Sequence, residues 1–583
     1  MQKKVAIFGG GIGGLSCALE LAEQGLDVHV YEAGPAVGGK ARSQAKAGTG
    51  TDGREDLPGE HGFRFFPAFY RHIIHTMRRI PFSGRRTVAD NLVGCDEMAL
   101  AEAGRGAKRL PRHSPSSIGD FFQIVNAVEA FFAGSDIESG DLARFAGKML
   151  EFLCSCDERR FGIYENVSFW RFVQGDRYGE RFQRYIDASR FMVAMDARRG
   201  SARTIGAMVI QLLLDFRRPA GQNDRVLDGP TTARWIAPWE AHLRSLGVTF
   251  HMSRPLLGLS AHPTDDRITA AHVGGETAPI EADYYVLAVP IERVAACLGA
   301  VADRDPLLRK LVAAQHMTAW MVGAQFYLGG DVKVCRGHVG YPDSPWALSS
   351  ISQAQFWERE GAPAFEQRYG DGRTKGILSV DICDWERSGR LTRRPAALCT
   401  SAEEVLAEVW VQLKDALNGG GEVLLRDEDR IDWRLDANVS FTEAGAMNSS
   451  PLLMHPPRSW WSRPEASSTI ENLMFAADYV RTTTDLATME GANEAARMAA
   501  NAIFAREGRP RSAEIFPLVE DAGRLVALAK RIDHLRWEKD KNEPSFSTLN
   551  LRAGEEPTLE RVRARQADVI AKLCDIDASG AAP

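Results

Sequence analysis

Lys4-Val5-Ala6-Ile7-Phe8-Gly9-Gly10-Gly11-Ile12-Gly13-Gly14 decides the fold. Residues 4–8 form a short apolar run that suits a buried parallel strand, and it passes directly into a G-x-G-x-x-G turn at Gly9, Gly11 and Gly14. In such a turn Gly9 permits the sharp bend, Gly11 leaves room for a pyrophosphate, and Gly14 lets the next helix sit close on the sheet. The pattern predicts a helix over residues 15–24 that is stopped by Gly25 and points its N-terminal amides, with Ile12 and Gly13, at phosphates. A second strand over residues 27–31 ends at Glu32, roughly 20 residues past the turn, where an acid accepts ribose hydroxyls. A carboxylate there repels a 2′-phosphate, so NADP is disfavoured.

The next stretch, Ala33-Gly34-Pro35-Ala36-Val37-Gly38-Gly39-Lys40-Ala41-Arg42-Ser43, is a second glycine pair followed by two cations and a serine. An NAD dehydrogenase has no use for it. It resembles the second FAD fingerprint of the flavin amine oxidase and carotenoid desaturase superfamily. The resemblance implies FAD as cofactor, held by Glu32, Ala33, Gly38, Gly39, Lys40, Ala41 and Arg42 together with Gly9, Gly11, Ile12, Gly13 and Gly14.

Three later segments carry the same likeness. Residues 59–72 crowd aromatics, cations and histidines together, as either a buried strand and turn or a site. They resemble, without a gap, the plant-type phytoene and ζ-carotene desaturase segment E-T-G-L-H-I-F-F-G-A-Y-P-N, with Glu60, Gly62, Phe66 and Tyr70 on matching residues. Arg64 stands where those desaturases carry histidine. The resemblance implies Gly62, Phe63 and Arg64 at the flavin and makes Arg64, His61 and Tyr70 the candidate catalytic residues. Residues 282–290 read A-D-x-x-V-x-A-x-P after a β-meander. This resembles the middle FAD segment and implies cofactor contacts from Pro255, Leu256, Ala288 and Pro290. Residues 476–492 hold Ala477-Asp478-Tyr479 and then Thr488-Met489-Glu490-Gly491-Ala492. They resemble the closing FAD signature, which implies Asp478 on the ribityl chain and the Thr488, Met489 and Ala492 turn against the flavin's pyrimidine edge. Ala477 replaces the usual glycine.

The fold class expected is α/β: a Rossmann-type FAD-binding domain of the GR2-like kind, discontinuous over residues 1–95, 221–300 and 465–510. A helical subdomain is expected over 96–220, an inserted mixed α+β substrate-binding sheet domain over 301–464, and a helical C-terminal extension over 511–583. Residues 78–115 read as a basic, irregular insertion or lid, and 117–132 as an aromatic amphipathic helix. Trp320, Trp346, Trp357 and Trp385 suit either a hydrophobic pocket floor or core.

At 44% hydrophobic and 25% charged residues the composition excludes disordered and fibrous classes. A net charge of −6 supplies no reason to expect nucleic acid. The 9 cysteines lack C-x-x-C spacing and read as reduced core thiols of a cytosolic protein. The chain enters its first strand with no room for a signal peptide and has no membrane-spanning apolar run, so a soluble or peripherally membrane-attached protein is expected. His72 and His75 are spaced i, i+3, but nothing else supports a metal, and none is expected.

No Ser-His-Asp, H-E-x-x-H or P-loop constellation is present, so the flavin is the expected reactive group. With one dinucleotide fingerprint only, electrons are expected to leave to oxygen or a quinone. The desaturase likeness implies dehydrogenation of a hydrophobic, isoprenoid or carotenoid-like small molecule. The amine oxidase likeness implies oxidation of a C–N bond, yet those oxidases commonly carry a lysine on the strand that here spans 318–328, which has none. Isomerisation, dehydroxylation and a scaffold without net turnover are the remaining alternatives, and a monomer or homodimer is expected.

Overall fold

The computed structural model describes residues 2–111, 124–132, 136–191, 195–215, 222–358, 362–518, 523–549 and 555–579. Its first layer is a five-stranded parallel sheet in the order Thr249–His251, Asp27–Tyr31, Lys4–Phe8, Tyr284–Leu287, Leu473–Phe475. Lys4–Phe8, Tyr284–Leu287 and Leu473–Phe475 are almost wholly buried, as a parallel sheet covered on both faces requires. The chain leaves Lys4–Phe8 toward one side for Asp27–Tyr31 and returns on the other side for Tyr284–Leu287. That reversal opens a crevice at the carboxyl ends of the strands. The helices Ile12–Glu23 and Met489–Arg506, both rich in alanine, pack on each other over the sheet.

The second layer is a seven-stranded sheet in the order Arg430–Leu435, Val322–Leu328, Gly376–Ile382, Ser349–Ser352, Gly337–Gly340, Glu97–Glu102, Gly106–Pro111. Side chains alternate across it. Val322, Ala324, Phe326, Leu378, Val380 and Ile382 join one core with Val405, Val409 and Leu413 of the helix Ala402–Leu417. The opposite face, with Gly323, Gln325, Tyr327, Ser379 and Asp381, turns toward the cofactor domain, as contacts from Gln325 to Glu60 and from Tyr327 to Pro58 show.

The strands Glu97–Glu102 and Gly106–Pro111 correct the sequence reading, which put residue 96 at the start of a helical region and an irregular lid at 78–115. Met98 and Leu100 face one core while Ala99 and Ala101 face another. This two-sided burial is carried by alanines too small to mark a strand in a charged context. Within the same stretch Pro81–Ser83 pairs with Arg86–Thr87, and Leu92–Cys95 with Asp224–Leu227.

Helices between Ser139 and Asp215 form the helical region. Part of the aromatic helix expected at 117–132 lies outside the described residues. Its remainder, Ile124–Phe131, buries Val125 and Val128 in the core. The tail helices Arg524–Lys539 and Leu559–Ser579 pack on this region, where buried Asp533 pairs with buried Arg159. Phe516 precedes the first tail helix instead of belonging to it, because its amide is taken by His72 Nε2. Trp346, Trp357 and Trp385 are core residues, with Trp320 packed on Trp385, so they do not floor a pocket. All cysteines are free, and Cys574 departs from the expected core thiols in being exposed. Among the described residues no helix is long and apolar enough to cross a membrane.

Candidate functional site

The crevice is built on close backbone approaches. Gly9 has φ +107°, and a Cβ there would lie 2.4 Å from the Ala288 carbonyl oxygen. At Gly13 a Cβ would lie 1.9 Å from the Ala476 carbonyl oxygen, two residues before Asp478. Gly14 begins the turn's exit against the Gly9 carbonyl. Gly11 and Gly39 face each other across the crevice, and the Gly38 amide donates to the Gly10 carbonyl at 2.7 Å. The first turn and the second glycine loop, close in sequence, therefore meet the closing segment, which is hundreds of residues away.

Glu32 is partly buried, and its two oxygens accept the amides of Gly10 and Gly34, both at 2.7 Å. Its carbonyl accepts the Arg254 amide, which brings Pro255 and Leu256 to the edge where Ala33 lies. Ala288 and Pro290 leave the central strand at the same crevice, and Pro290 caps a helix carrying Glu292. Lys40 Nζ donates to Glu292 Oε1 at 3.1 Å and to the Pro451 carbonyl. Asp478 sits by this pair: burial raises its carboxyl above the usual range, Lys40 opposes the shift, and Glu292 reinforces it. Ala41 is buried, whereas Arg42 folds back onto the Ala36 carbonyl at 3.2 Å.

Met489–Arg506 starts at Thr488, whose Oγ accepts the Gly491 amide while its carbonyl accepts the Ala492 amide. The amides of Met489 and Glu490 are what this helix start offers to an anionic group. The Glu490 side chain turns away and accepts the amides of Arg71, His72 and Ile73. Tyr70 is buried against Thr488, its hydroxyl pKa pushed up by that burial. It belongs with the closing helix and not with the other two candidate catalytic residues.

Those two, His61 and Arg64, lie at the seam between the second glycine loop and the seven-stranded sheet. Glu60 Oε1 accepts Ser43 Oγ at 2.8 Å and the Thr231 amide at 2.9 Å. His61 Nδ1 lies 2.5 Å from Asp436 Oδ2. Arg64 donates to the carbonyls of Lys40 and Ala41, and its charge is felt by Glu60 and Asp381. At Gly62 a Cβ would lie 2.6 Å from Asp381 Oδ1, and the Phe63 amide donates to the same carboxylate. Phe63 and Phe65 pack on His338.

Burial pushes the Asp381 carboxyl up to about 7, against the pull of Arg64 and the Phe63 amide. The folded chain therefore keeps a proton that the unfolded chain has lost between roughly pH 4 and 7, and stability falls as pH rises through that window. In thermal melts at about pH 5 and about pH 8.5, Asp381→Asn should flatten part of this decline. An unchanged slope would remove Asp381 as its source.

The residues present fit a flavin dinucleotide. Gly11, Gly39, Lys40, Asp478, Thr488 and Met489 remain at least partly exposed beside wholly buried neighbours, which makes them the walls of the crevice. Buried polar atoms without a protein partner follow the same line: Glu292 Oε2, Glu60 Oε2, His61 Nε2, Asp381 Oδ1 and Ser349 Oγ. Sequence reasoning missed Glu292, Asp381, Asp436 and Ser349. An aspartate inside the otherwise apolar strand Gly376–Ile382 is the one local signal available. His72 and His75 are engaged separately, with Glu490 and Phe516 and with Arg497. Among the described residues, Cys156, Glu158 and His534 come within ligating distance of one another, but Cys156 Sγ already accepts the Arg159 amide and His534 pairs with Glu158 and Glu538.

Comparison with known proteins places this geometry. A family model described as flavin containing amine oxidoreductase matches residues 12–504. A zeta-carotene desaturase of Synechocystis sp. is 22% identical over 540 residues, covering 88% of this chain and 99% of that protein. A hydroxysqualene dehydroxylase of Sinorhizobium fredii is 56% identical over 43 residues, 7% of this chain and 10% of that one. Among solved structures, putrescine oxidase bound to putrescine superposes with a TM-score of 0.57 at 16% identity, covering 87% of this chain and 100% of that one. Cyclohexylamine oxidase from Brevibacterium oxydans gives 0.56 at 14% identity, with coverage of 87% and 100%.

Proposed function

Because the chain belongs to the flavin-containing amine oxidoreductase family and is an FAD-dependent oxidoreductase, we propose that it dehydrogenates a hydrophobic, isoprenoid-type substrate, with oxygen or a quinone as final electron acceptor. The observation that carries this reading is the strand Val322–Leu328, which turns Gly323, Gln325 and Tyr327 toward the cofactor domain and contains no lysine. Bound FAD supplies the two-electron acceptor that takes a hydride from the substrate.

The chain's own residues do the rest. Lys40, Glu292 and Asp478 would hold the cofactor, and Arg64 pins the Lys40–Ala41 backbone beside them. The substrate sheet closes over Glu60–Arg64 and excludes water there, so charges at the seam act in a low dielectric.

A second reading, oxidation of an amine, is favoured by one observation. The carboxyl groups of Glu60, Asp381 and Asp436 all act on the Arg64 guanidinium, and Asp381, which burial keeps protonated up to about pH 7, could ionise beside an ammonium group. Anaerobic mixing of the purified holoprotein with candidate polyene precursors and candidate amines decides between them. Bleaching of the flavin absorbance by a polyene precursor is expected, and bleaching by amines alone would overturn the dehydrogenation reading.

A further inference from the structure

His61 and Asp436 are 375 residues apart in sequence and nearly solvent-free, with side-chain exposures of 6% and 0%. Asp436 Oδ1 accepts both the backbone amide of Asn438 at 2.7 Å and its side-chain amide at 2.8 Å. Oδ2 faces His61 Nδ1. Both Asn438 bonds fall on Oδ1, and the carboxyl is held below the usual range, so Asp436 is ionised and the proton between the two residues resides on Nδ1. The neutral ring then carries its lone pair on Nε2. Nε2 is buried and has no protein partner.

The arrangement is also held from the backbone. The Gly323 amide donates to the His61 carbonyl at 2.8 Å, and the Asp436 amide donates to the Gly323 carbonyl at 3.0 Å. One residue of the substrate sheet thus sets both partners. A Cβ at Gly323 would lie 2.5 Å from the His61 carbonyl oxygen, which leaves the contact little play. Burial works to raise the Asp436 carboxyl, but His61, Asn438 and Arg434 hold it below the usual range. The other charged groups around the pair are Arg64 and, through it, Glu60 and Asp381.

We propose that His61 Nε2 is the proton acceptor of the reaction and that Asp436 is its positioning residue. The inference rests on the dehydrogenation reading. One substrate hydrogen leaves with its bonding pair to FAD, the other passes as a proton to Nε2, and the electrons of that second C–H bond become the new π bond. The imidazolium so formed is stabilised by Asp436. Asparagine in place of Asp436 has an NH2 group that donates to Nδ1, forces the proton onto Nε2 and removes the acceptor.

Two measurements test this, and the first needs no turnover. Nitrogen-15 spectra of histidine-labelled holoprotein, with the His61 signals identified by their loss in His61→Gln, should show Nδ1 protonated and Nε2 bare in the wild type. In Asp436→Asn the pattern should reverse. A wild-type His61 with the proton on Nε2 would overturn the proposal, whether or not any variant folds and whatever the substrate proves to be. Second, the rate of anaerobic flavin reduction in Asp436→Asn should fall on the order of 10²–10⁴-fold, with substrate affinity and bound FAD retained. His61→Gln should show a fall of similar size. A fall of less than about threefold in both variants would overturn the role even with the tautomer as expected. Failure of the dehydrogenation reading alone would appear as reduction by amines only, with the tautomer result intact.

Discussion

Asp485→Asn is expected to destabilise the folded chain by about 3–5 kcal/mol, because it leaves buried arginines without their counter-charge. Asp485 is 3% exposed, and its oxygens take Arg463, Arg203 and Thr204 Oγ1. Arg463 is wholly buried, and its further side-chain partners are His455 Nε2, at 3.2 Å, and the face of the Trp460 ring, neither of them charged. His455 offers no relief. Burial and the Arg463 charge push its pKa down to about 3, so it stays a neutral acceptor. Arg203 keeps Glu165 at 2.9 Å, which limits the loss on that side.

The pH dependence has a definite sign. Burial works to raise the Asp485 carboxyl, but Arg203 and Arg463 override it and hold the group far below the usual range. A depressed carboxyl contributes stability that is complete above its unfolded value near 4 and is lost as pH falls below it. Urea unfolding should therefore show the largest gap between wild type and variant near pH 7 and a shrinking gap in acid. A gap under about 1 kcal/mol at neutral pH would mean that the cluster is not what holds the segment between Asp478 and Thr488.

The second large effect is expected at Gly13. An alanine methyl there would stand 1.9 Å from the Ala476 carbonyl oxygen, and neither backbone can yield without moving the buried strand Leu473–Phe475 or the first helix. Gly13→Ala should cost more than about 3 kcal/mol, beyond ordinary overpacking, and yield a colourless protein. Gly11→Ala is the informative contrast. Its methyl would meet only the Gly39 Cα, at 3.9 Å, so the fold should keep its melting temperature while the space for the pyrophosphate, and with it the FAD, is lost. Flavin absorbance and thermal melts of the two variants check the pair, and equal melting temperatures would contradict the packing argument.

Much of the cofactor domain is legible in the chain because its signals are local. A strand, a glycine turn, a helix and an acid occur within the first 32 residues, and Gly9, Gly13 and Gly14 stand where a backbone contact leaves no room for a side chain. The strands Glu97–Glu102 and Gly106–Pro111 were hidden for the converse reason. They are buried by a sheet whose other members begin more than two hundred residues later, and their alanines carry no strand signal of their own. For Trp346, Trp357 and Trp385 the sequence left pocket floor and core both open, since composition alone does not tell one from the other, and the fold buries them in the core.

Cofactor class and cofactor fold follow from the sequence alone, because gripping a dinucleotide depends on the conformation of contiguous residues, and short spacings encode it. What surrounds the reacting bond emerged only from the tertiary structure. His61 meets Asp436, Gly62 meets Asp381, and Lys40 meets Glu292 across separations that no local pattern records. The charge state and orientation of each group depend on the burial and partners that the folded chain alone supplies.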